Sequence, residues 1–252
     1  MENYTLTGSY TLPSLGKVYG DKQINPNIVL RSMTTEEEMK RLNPSERPYK
    51  VMADIIDDCL VEKPGISTYD MCMGDYQFLL HKLRIVTYGT SYPLTSTCPY
   101  CGSTNTDKIN LEQMVVFTYS DDIKKYLSLD LPRTQHHITL KMQTPRMLDD
   151  ISVRSKEIRK KTPNMSADPA FLLSIEEIID TIDGQEYDVI KKSEFVRQLP
   201  MMDTNYILAY AQKSNEGIGL NPILENRCDV CGLDYQSTFR TTSEFFRPSI
   251  DT

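Results

Sequence analysis

The sequence predicts an α+β fold built as two similar halves, and three observations predict it. Short stretches with alternating apolar residues, the period of a half-buried strand, precede longer stretches with helical apolar spacing. The same succession of stretches occurs twice along the chain, and each occurrence closes on the pattern CxxCG. The halves implied are residues 1–120 and residues 121–252.

Each half opens on a hairpin. In the first, LPSLGKVY (12–19) leads into IVLRSMTTEEEM (28–39), and in the second LPRTQHH (131–137) leads into ITLKMQTPRML (138–148). Ile28, Leu30 and Arg31 align with Ile138, Leu140 and Lys141, which predicts strand, turn, strand and then a helix start. Thr35 and Glu38 have capping-box spacing, and Pro145 suits a first helical turn. The carboxylates of TTEEE therefore read as a capped helix start and not as a catalytic group. An amphipathic helix follows in each half. Val51, Met52, Ile55, Ile56, Cys59 and Leu60 form one apolar stripe, and Phe171, Leu172, Ile175, Ile178, Ile179 and Ile182 form the other, opened by Asp168 and Pro169 as N-cap and first-turn residues. A further helix is expected to begin at Asp75 in DYQFLLHKL and at Asp203 in DTNYILAYA, with Phe78, Leu79 and Leu80 matching Tyr206, Ile207 and Leu208.

Each of these last helices runs through a glycine-containing stretch into its cysteine pair, Cys98 and Cys101 followed by Gly102, or Cys228 and Cys231 followed by Gly232. CPYC has the spacing of a redox dithiol, whose first cysteine stands at a helix N-terminus. Here the pair leads into GSTNTD, a run of poor helix formers. A metal knuckle needs the opposite local geometry: two thiolates on one side of the ion, then a glycine that turns the loop with positive φ. Two such knuckles supply four thiolates, so Cys98, Cys101, Cys228 and Cys231 are the expected ligands of one structural Zn2+ per chain. The fold expected in full is two pseudo-symmetric halves, each a β-hairpin plus helices and a CxxCG zinc knuckle, sharing one zinc ribbon split between them. Cys59, on its apolar stripe, reads as a buried inert thiol, and Cys72 has no counterpart in the second half.

Composition narrows the function. The 252 residues carry a net charge of −7, which disfavours a surface made to neutralise phosphates. The basic run SVRSKEIRKKT (152–162) is interrupted by Glu157 and has no interleaved aromatic residue, so it reads as a solvated helix face. No stretch has the roughly 20 apolar residues of a membrane helix, and the start MENYTLTGSY has no secretory character. The six cysteines are then expected in a reducing cytoplasm as thiols or metal ligands. There is no P-loop, G-x-G-x-x-G, G-x-S-x-G or HExxH. His136 and His137 alternate faces in the second hairpin, and His81 sits among leucines on a helix as a packed or capping residue. No catalytic residue is expected.

LPSLGKVY, IVLRSMTTEEEM, DYQFLLHKLRIVTYG leading into CPYCG, and the closing CDVCG with FFRPS together resemble the baseplate hub and tail-assembly proteins of T-even-type contractile-tailed bacteriophages. The resemblance implies a non-enzymatic protein that builds or helps assemble the central hub of the baseplate, in the host cytoplasm during assembly, and that then either stays in the virion tail baseplate or leaves as an assembly chaperone. It implies other baseplate hub and tail proteins as partners, without nucleotide or nucleic-acid substrate. The contacts are expected at the N-terminal hairpin from Leu12 to Tyr19 and at the tail, where Phe245, Phe246 and Arg247 have the character of interface anchors. In the alternative reading of the tail, its phenylalanines complete the second half's sheet. Two other functional classes stay open, a zinc-ribbon nucleic-acid-binding or transcription-related protein, and a thiol oxidoreductase.

Overall fold

The computed structural model describes residues 5–239, 241 and 243–247. Among them the chain is α+β, with small antiparallel sheets set between helices. The first half opens with strands β1 (Thr7–Thr11) and β2 (Asn27–Arg31), paired so that Thr7 faces Arg31 and Thr11 faces Asn27. Helices α1 (Thr35–Leu42), α2 (Pro48–Cys59) and α3 (Met73–Tyr88) follow. Strands β3 (Ser91–Thr97) and β4 (Thr104–Asn110) then form a hairpin with the first cysteine pair at its tip, and β5 (Val116–Phe117) leads out.

The second half also opens on a hairpin and ends on a cysteine hairpin, but it carries an added strand and an added helix between its helices. Strands β6 (Ser128–Asp130) and β7 (His137–Leu140) form its hairpin, and helices α4 (Pro145–Lys161) and α5 (Pro169–Ile178) come next. Strand β8 (Ile179–Ile182) adds to β7. After it come α6 (Val189–Gln198), α7 (Met201–Glu216), β9 (Gly219–Leu220), and the second cysteine hairpin, β10 (Ile223–Arg227) with β11 (Asp234–Thr238).

Two local features, a strand bridge and an aspartate clamp, occur in both segments. In both halves a helix ends and the chain passes at once into an antiparallel bridge with the hairpin's second strand: Leu30 with Leu60, and Leu140 with Ile179. In both, a buried aspartate at the third position of the later helix holds the Leu-Pro turn. Asp75 accepts the Ser14 N–H at 2.9 Å and the Ser14 hydroxyl. Asp203 accepts the N–H groups of Arg133 and Thr134 at 2.9 and 3.0 Å and the Thr134 hydroxyl at 2.8 Å. Both aspartates are fully buried.

One apolar core lies under each hairpin. The first gathers Leu12, Leu30, Ile55, Leu79 and Leu83, and the second Leu131, Ile138, Ile179, Ile182 and Ile207. A small cluster of Cys72, Ile123, Met142 and Ile218 lies where the halves meet. Polar contacts reinforce that seam. Arg47 offers no side-chain cap to α2, so the first backbone donors of that helix turn to Asp149 of α4, with Lys50 N–H at 2.9 Å. Arg47 pairs with Asp150 at 2.6 Å and Arg146 with Asp70 at 2.5 Å. At Gly219, with φ of 104°, an added Cβ would sit 2.7 Å from the Gly74 Cα, so two backbones touch there without side chains between them.

Several boundaries differ from the sequence expectation. Helices α3 and α7 begin at Met73 and Met201, two residues before the aspartates, which serve as turn clamps inside the first helical turn. The capping box is Thr34 with Glu37 instead of Thr35 with Glu38. The apolar stripe of α5 stops at Ile178, because the β-branched run Ile179–Ile182 pairs with β7. Phe171 is accordingly exposed, while Leu173 faces the core. Leu12, Pro13 and Ser14 are buried by the Asp75 clamp and are not a contact surface. Phe245 and Phe246 complete no sheet of the second half; both are buried in the core of the first, where Arg84 Nε donates to the Phe245 carbonyl at 2.9 Å. Of the expected tail contact, residues 248–250 lie outside the described residues.

Removing the Asp203 carboxylate leaves the Arg133 and Thr134 N–H groups and the Thr134 hydroxyl without their acceptor. Asp203→Ala is expected to cost at least about 2 kcal/mol in urea unfolding followed by far-UV circular dichroism. A loss within about 0.5 kcal/mol would show that the turn holds itself. Glu37 gives a pH test. Its hydrogen bond from Arg31 at 2.7 Å, opposed by burial and helped by Thr34, brings its carboxyl from the ordinary 4.5 down to about 2. A depressed carboxylate contributes stability that is present above its unfolded pKa and is lost as pH falls through the folded one. Glu37→Gln should cost about 2 kcal/mol at neutral pH, a value reduced from the full shift because Arg31 is partly solvated. The difference from the parent protein should close between about 4.5 and about 2. A pH-independent difference would refute the ion-pair account.

Candidate metal centre

The two cysteine hairpins are built alike. Cys98 donates its N–H to the Ser103 carbonyl at 2.9 Å and accepts the Gly102 N–H on its own carbonyl at 2.9 Å. Cys228 does the same with Leu233 at 3.0 Å and with Gly232 at 2.9 Å. Gly102 and Gly232 have φ of 72° and 71°, the left-handed turn for which their spacing after CxxC was read. A Cβ at either glycine would meet nothing within 4 Å, so the backbone angle, and not space, requires glycine. GSTNTD after the first pair becomes β4, which excludes the helix start of a redox dithiol.

The structure brings Cys98, Cys101, Cys228 and Cys231 together, with all four Sγ atoms within 4.8 Å of one another. Cys98 and Cys231 are 3.8 Å apart and Cys101 and Cys228 3.6 Å, each pair spanning both hairpins. A disulfide needs about 2.05 Å. Four thiolates each about 2.3 Å from one ion at a tetrahedron's centre would be about 3.8 Å apart, so the spacing fits a metal ion. Cys98 and Cys228 are buried, while Cys101 and Cys231 face solvent.

The local charges fit a cation as well. The Cys231 backbone N–H, at 3.5 Å, and the Ser103 hydroxyl, at 3.1 Å, hold the Cys228 thiol down to about 5. Ser103 likewise lowers Cys101 from 3.0 Å. Cys231 gains from the Leu233 N–H, yet desolvation and the neighbouring sulfurs of Cys228, Cys101 and Cys98 push it up to about 12. Sulfurs this close cannot all be anionic unless a cation lies among them. Around them, Asn105 ties one hairpin to the other, its Oδ1 accepting the Asp229 N–H at 3.0 Å and its Nδ2 donating to the Tyr235 hydroxyl at 3.1 Å. Tyr235 in turn lies 2.7 Å from the Ser96 hydroxyl. A metal held here would have a closed shell of four sulfurs, and it would hold the two hairpins together without an open position for chemistry.

The remaining candidates are structural. Cys59 and Cys72 are buried, and desolvation raises both thiols to about 12. His81 is buried, with Nε2 2.9 Å from the Leu111 carbonyl and burial lowering its pKa. His136 and His137 bind separate carboxylates, Asp183 at 2.6 Å and Asp130 at 2.7 Å, and do not converge. The basic run lies on α4, where Arg154 pairs with Glu177 and Glu176 and Arg159 with Asp168, as a solvated, ion-paired face does. The clamps of Asp75 and Asp203 and the seam cap of Asp149 were missed in the sequence. Two aspartates at matching places in two similar helices were the available signal.

A family model described as "T4 bacteriophage base plate protein" matches residues 1–247. No curated protein and no solved structure matches the chain. Among the described residues, no helix is long and apolar enough to cross a membrane. With the family model spanning both hairpins, both cores and the four-cysteine cluster, the chain belongs to the T4-type bacteriophage baseplate proteins.

Proposed function

We propose that the chain is a non-enzymatic structural or assembly protein of the baseplate hub, working in the host cytoplasm during assembly and in the tail of the virion. The family match along residues 1–247 is the observation that carries this reading. We further propose that Cys98, Cys101, Cys228 and Cys231 hold one structural zinc in a ribbon split between residues 1–120 and 121–252. The two segments are read as tandem copies of one unit, related by a pseudo-two-fold axis near the metal. The matching bridges at Leu60 and Ile179 and the matching clamps at Asp75 and Asp203 support that reading.

With both aromatic residues of the tail buried, partner contacts fall to other apolar side chains. Tyr100, Val230 and Leu233 at the tips of the cysteine hairpins are 63%, 74% and 50% exposed, and Met201 on α7 is 59% exposed. Contacts of this kind exclude water from apolar surface and weaken little with salt, whereas phosphate contacts fail steeply between ~50 and ~200 mM.

Protein purified without chelator should carry about one equivalent of zinc, and Cys98→Ser or Cys228→Ser should lower the unfolding midpoint of both halves together. Less than about half an equivalent, with no other metal in its place, would sink the metal assignment. For the functional reading, the protein is recovered from infected cells with nuclease present, at ~50 and ~200 mM salt. Hub or tail proteins should accompany it at both levels. Nucleic acid alone, released by salt, would move the protein to the zinc-ribbon nucleic-acid class.

A further inference from the structure

The first half has no α-helix between α2 and α3, whereas the second places α6 between α5 and α7. One side of α6 packs inward through Val196, which is buried, and through Lys192, whose Nζ donates to the Ile179 carbonyl at 2.8 Å. Val189, Ser193 and Arg197 follow one another at helical spacing and form the adjoining face with Ile190 and Glu194. That face lines an open cleft of about 380 Å³, whose other walls are α5 and the Arg154 and Ile158 side of α4. The size is within the range of small-ligand sites, roughly 300–1,000 Å³.

Glu176 of α5 lines the same cleft and is only 5% exposed. Its Oε2 lies 3.6 Å from Arg154, while its Oε1 is buried with no hydrogen-bond partner. A carboxylate oxygen that has lost water and gained no donor is costly, and such atoms are rare in folded proteins. Arg154 is already shared with Glu177. Three carboxylates line the cleft, Asp168, Glu176 and Glu194, against two guanidinium groups, Arg154 and Arg197. The outside partners Arg159 and Glu177 cancel one another, so the site is short of one positive charge. Beside it Val189 and Ile190 are 64% and 72% exposed, an apolar pair presented to solvent at the opening. An occupant that answers all of this brings one cationic N–H donor on an apolar shaft. Lysine has that form, a four-carbon stem with a compact ammonium, whereas the fork of arginine is matched to two oxygens and Glu176 offers one.

We propose that the cleft between α4, α5 and α6 receives a lysine side chain of another baseplate protein, its stem against Val189 and Ile190 and its ammonium donating to Glu176 Oε1. The source of the lysine rests on the function proposed above; the chemistry of the cleft does not. A charge-assisted bond to an oxygen that is already desolvated adds affinity without a further cost of stripping water from the carboxylate, so Glu176 should dominate the binding.

The first probe is n-butylammonium, a lysine side chain without its backbone, titrated into the full-length protein with its Ile, Leu and Val methyl groups labelled for NMR. Saturable shifts are expected at Val189, Ile190, Ile158 and Leu172, which line the cleft, and not at the cores. Glu176→Gln should weaken binding about tenfold with the remaining methyl spectrum unchanged. Ile190→Ser, at an exposed position, should weaken it as well and leave the circular dichroism spectrum as it is. Absence of saturable shifts would mean that solvent alone serves Glu176, and would overturn the proposal. Equal binding of n-butanol, or binding unaffected by Glu176→Gln, would show a cleft that takes any apolar chain and overturn it too. The second probe is carbodiimide coupling of the protein recovered with its partners from infected cells, which joins a carboxylate to an amine in contact with it while the carbodiimide takes up the water as a urea. An amide between Glu176 and a lysine of a baseplate protein is expected. Baseplate proteins recovered without that amide would overturn the proposal and leave the proposed function standing, and an amide to a second copy of this chain would do the same. Recovery of no baseplate protein would overturn both, with the titration still reporting what the cleft binds.

Discussion

Two buried carboxylates set the geometry from which the rest follows. A Leu-Pro turn at the head of a hairpin has backbone N–H groups that point inward, and a buried donor without an acceptor is costly. Asp75 and Asp203 supply the acceptor from a later helix, so hairpin and helix are fixed to each other at one point. Each core then fills the space between them. The two clamps differ in charge. Burial raises Asp75, whose partners include the Ser14 and Tyr19 hydroxyls, whereas at Asp203 backbone N–H groups overcome the cost of burial and keep the carboxyl low. The same clamp is therefore built on a carboxyl whose pKa burial pushes up in one case and on one whose pKa backbone donors pull down in the other.

The cysteine hairpins add a different kind of connection. β3–β4 and β10–β11 share no strand pairing, so backbone hydrogen bonds do not hold them side by side. Their join consists of side chains: the four sulfurs, Asn105 across to the Asp229 N–H, and Tyr235 to Ser96. Such a join is compact and directional. Among the described residues it also leaves the outer edges of both hairpins without a pairing strand, and the tips project Tyr100 and Val230 into solvent.

Much of this was legible in the sequence because the signals were local. A CxxC with its following glycine specifies a turn and two thiols on one side of it within five residues, and Asp168-Pro169 specifies a helix start within two. The hairpins and helix starts were legible because their signals are local. What escaped needed distant partners. Nothing near Phe245 says that its ring rests on His81, and nothing near Asp149 says that it caps a helix of the other half. The run Ile179–Ile182 was misread as helix because its apolar spacing suits both a buried strand and a helix face, and β7 decided between them. The four cysteines that the fold brings together were readable from spacing. The acidic and aromatic supports around them depend on tertiary contacts.

The meeting of Gly74 and Gly219 has a mechanical consequence. Some contacts at the seam run through longer side chains, as from Arg47 to Asp150, and such chains can change rotamer while the elements shift. At the glycine contact there is no compliant layer, since a Cβ on Gly219 would already lie 2.7 Å from the Gly74 Cα. Backbone against backbone resists compression and leaves little room for sliding. The contact therefore fixes how closely β9 approaches α3, and the antiparallel pairing of β9 with β5, Phe117 opposite Gly219, fixes the same strand from its other side.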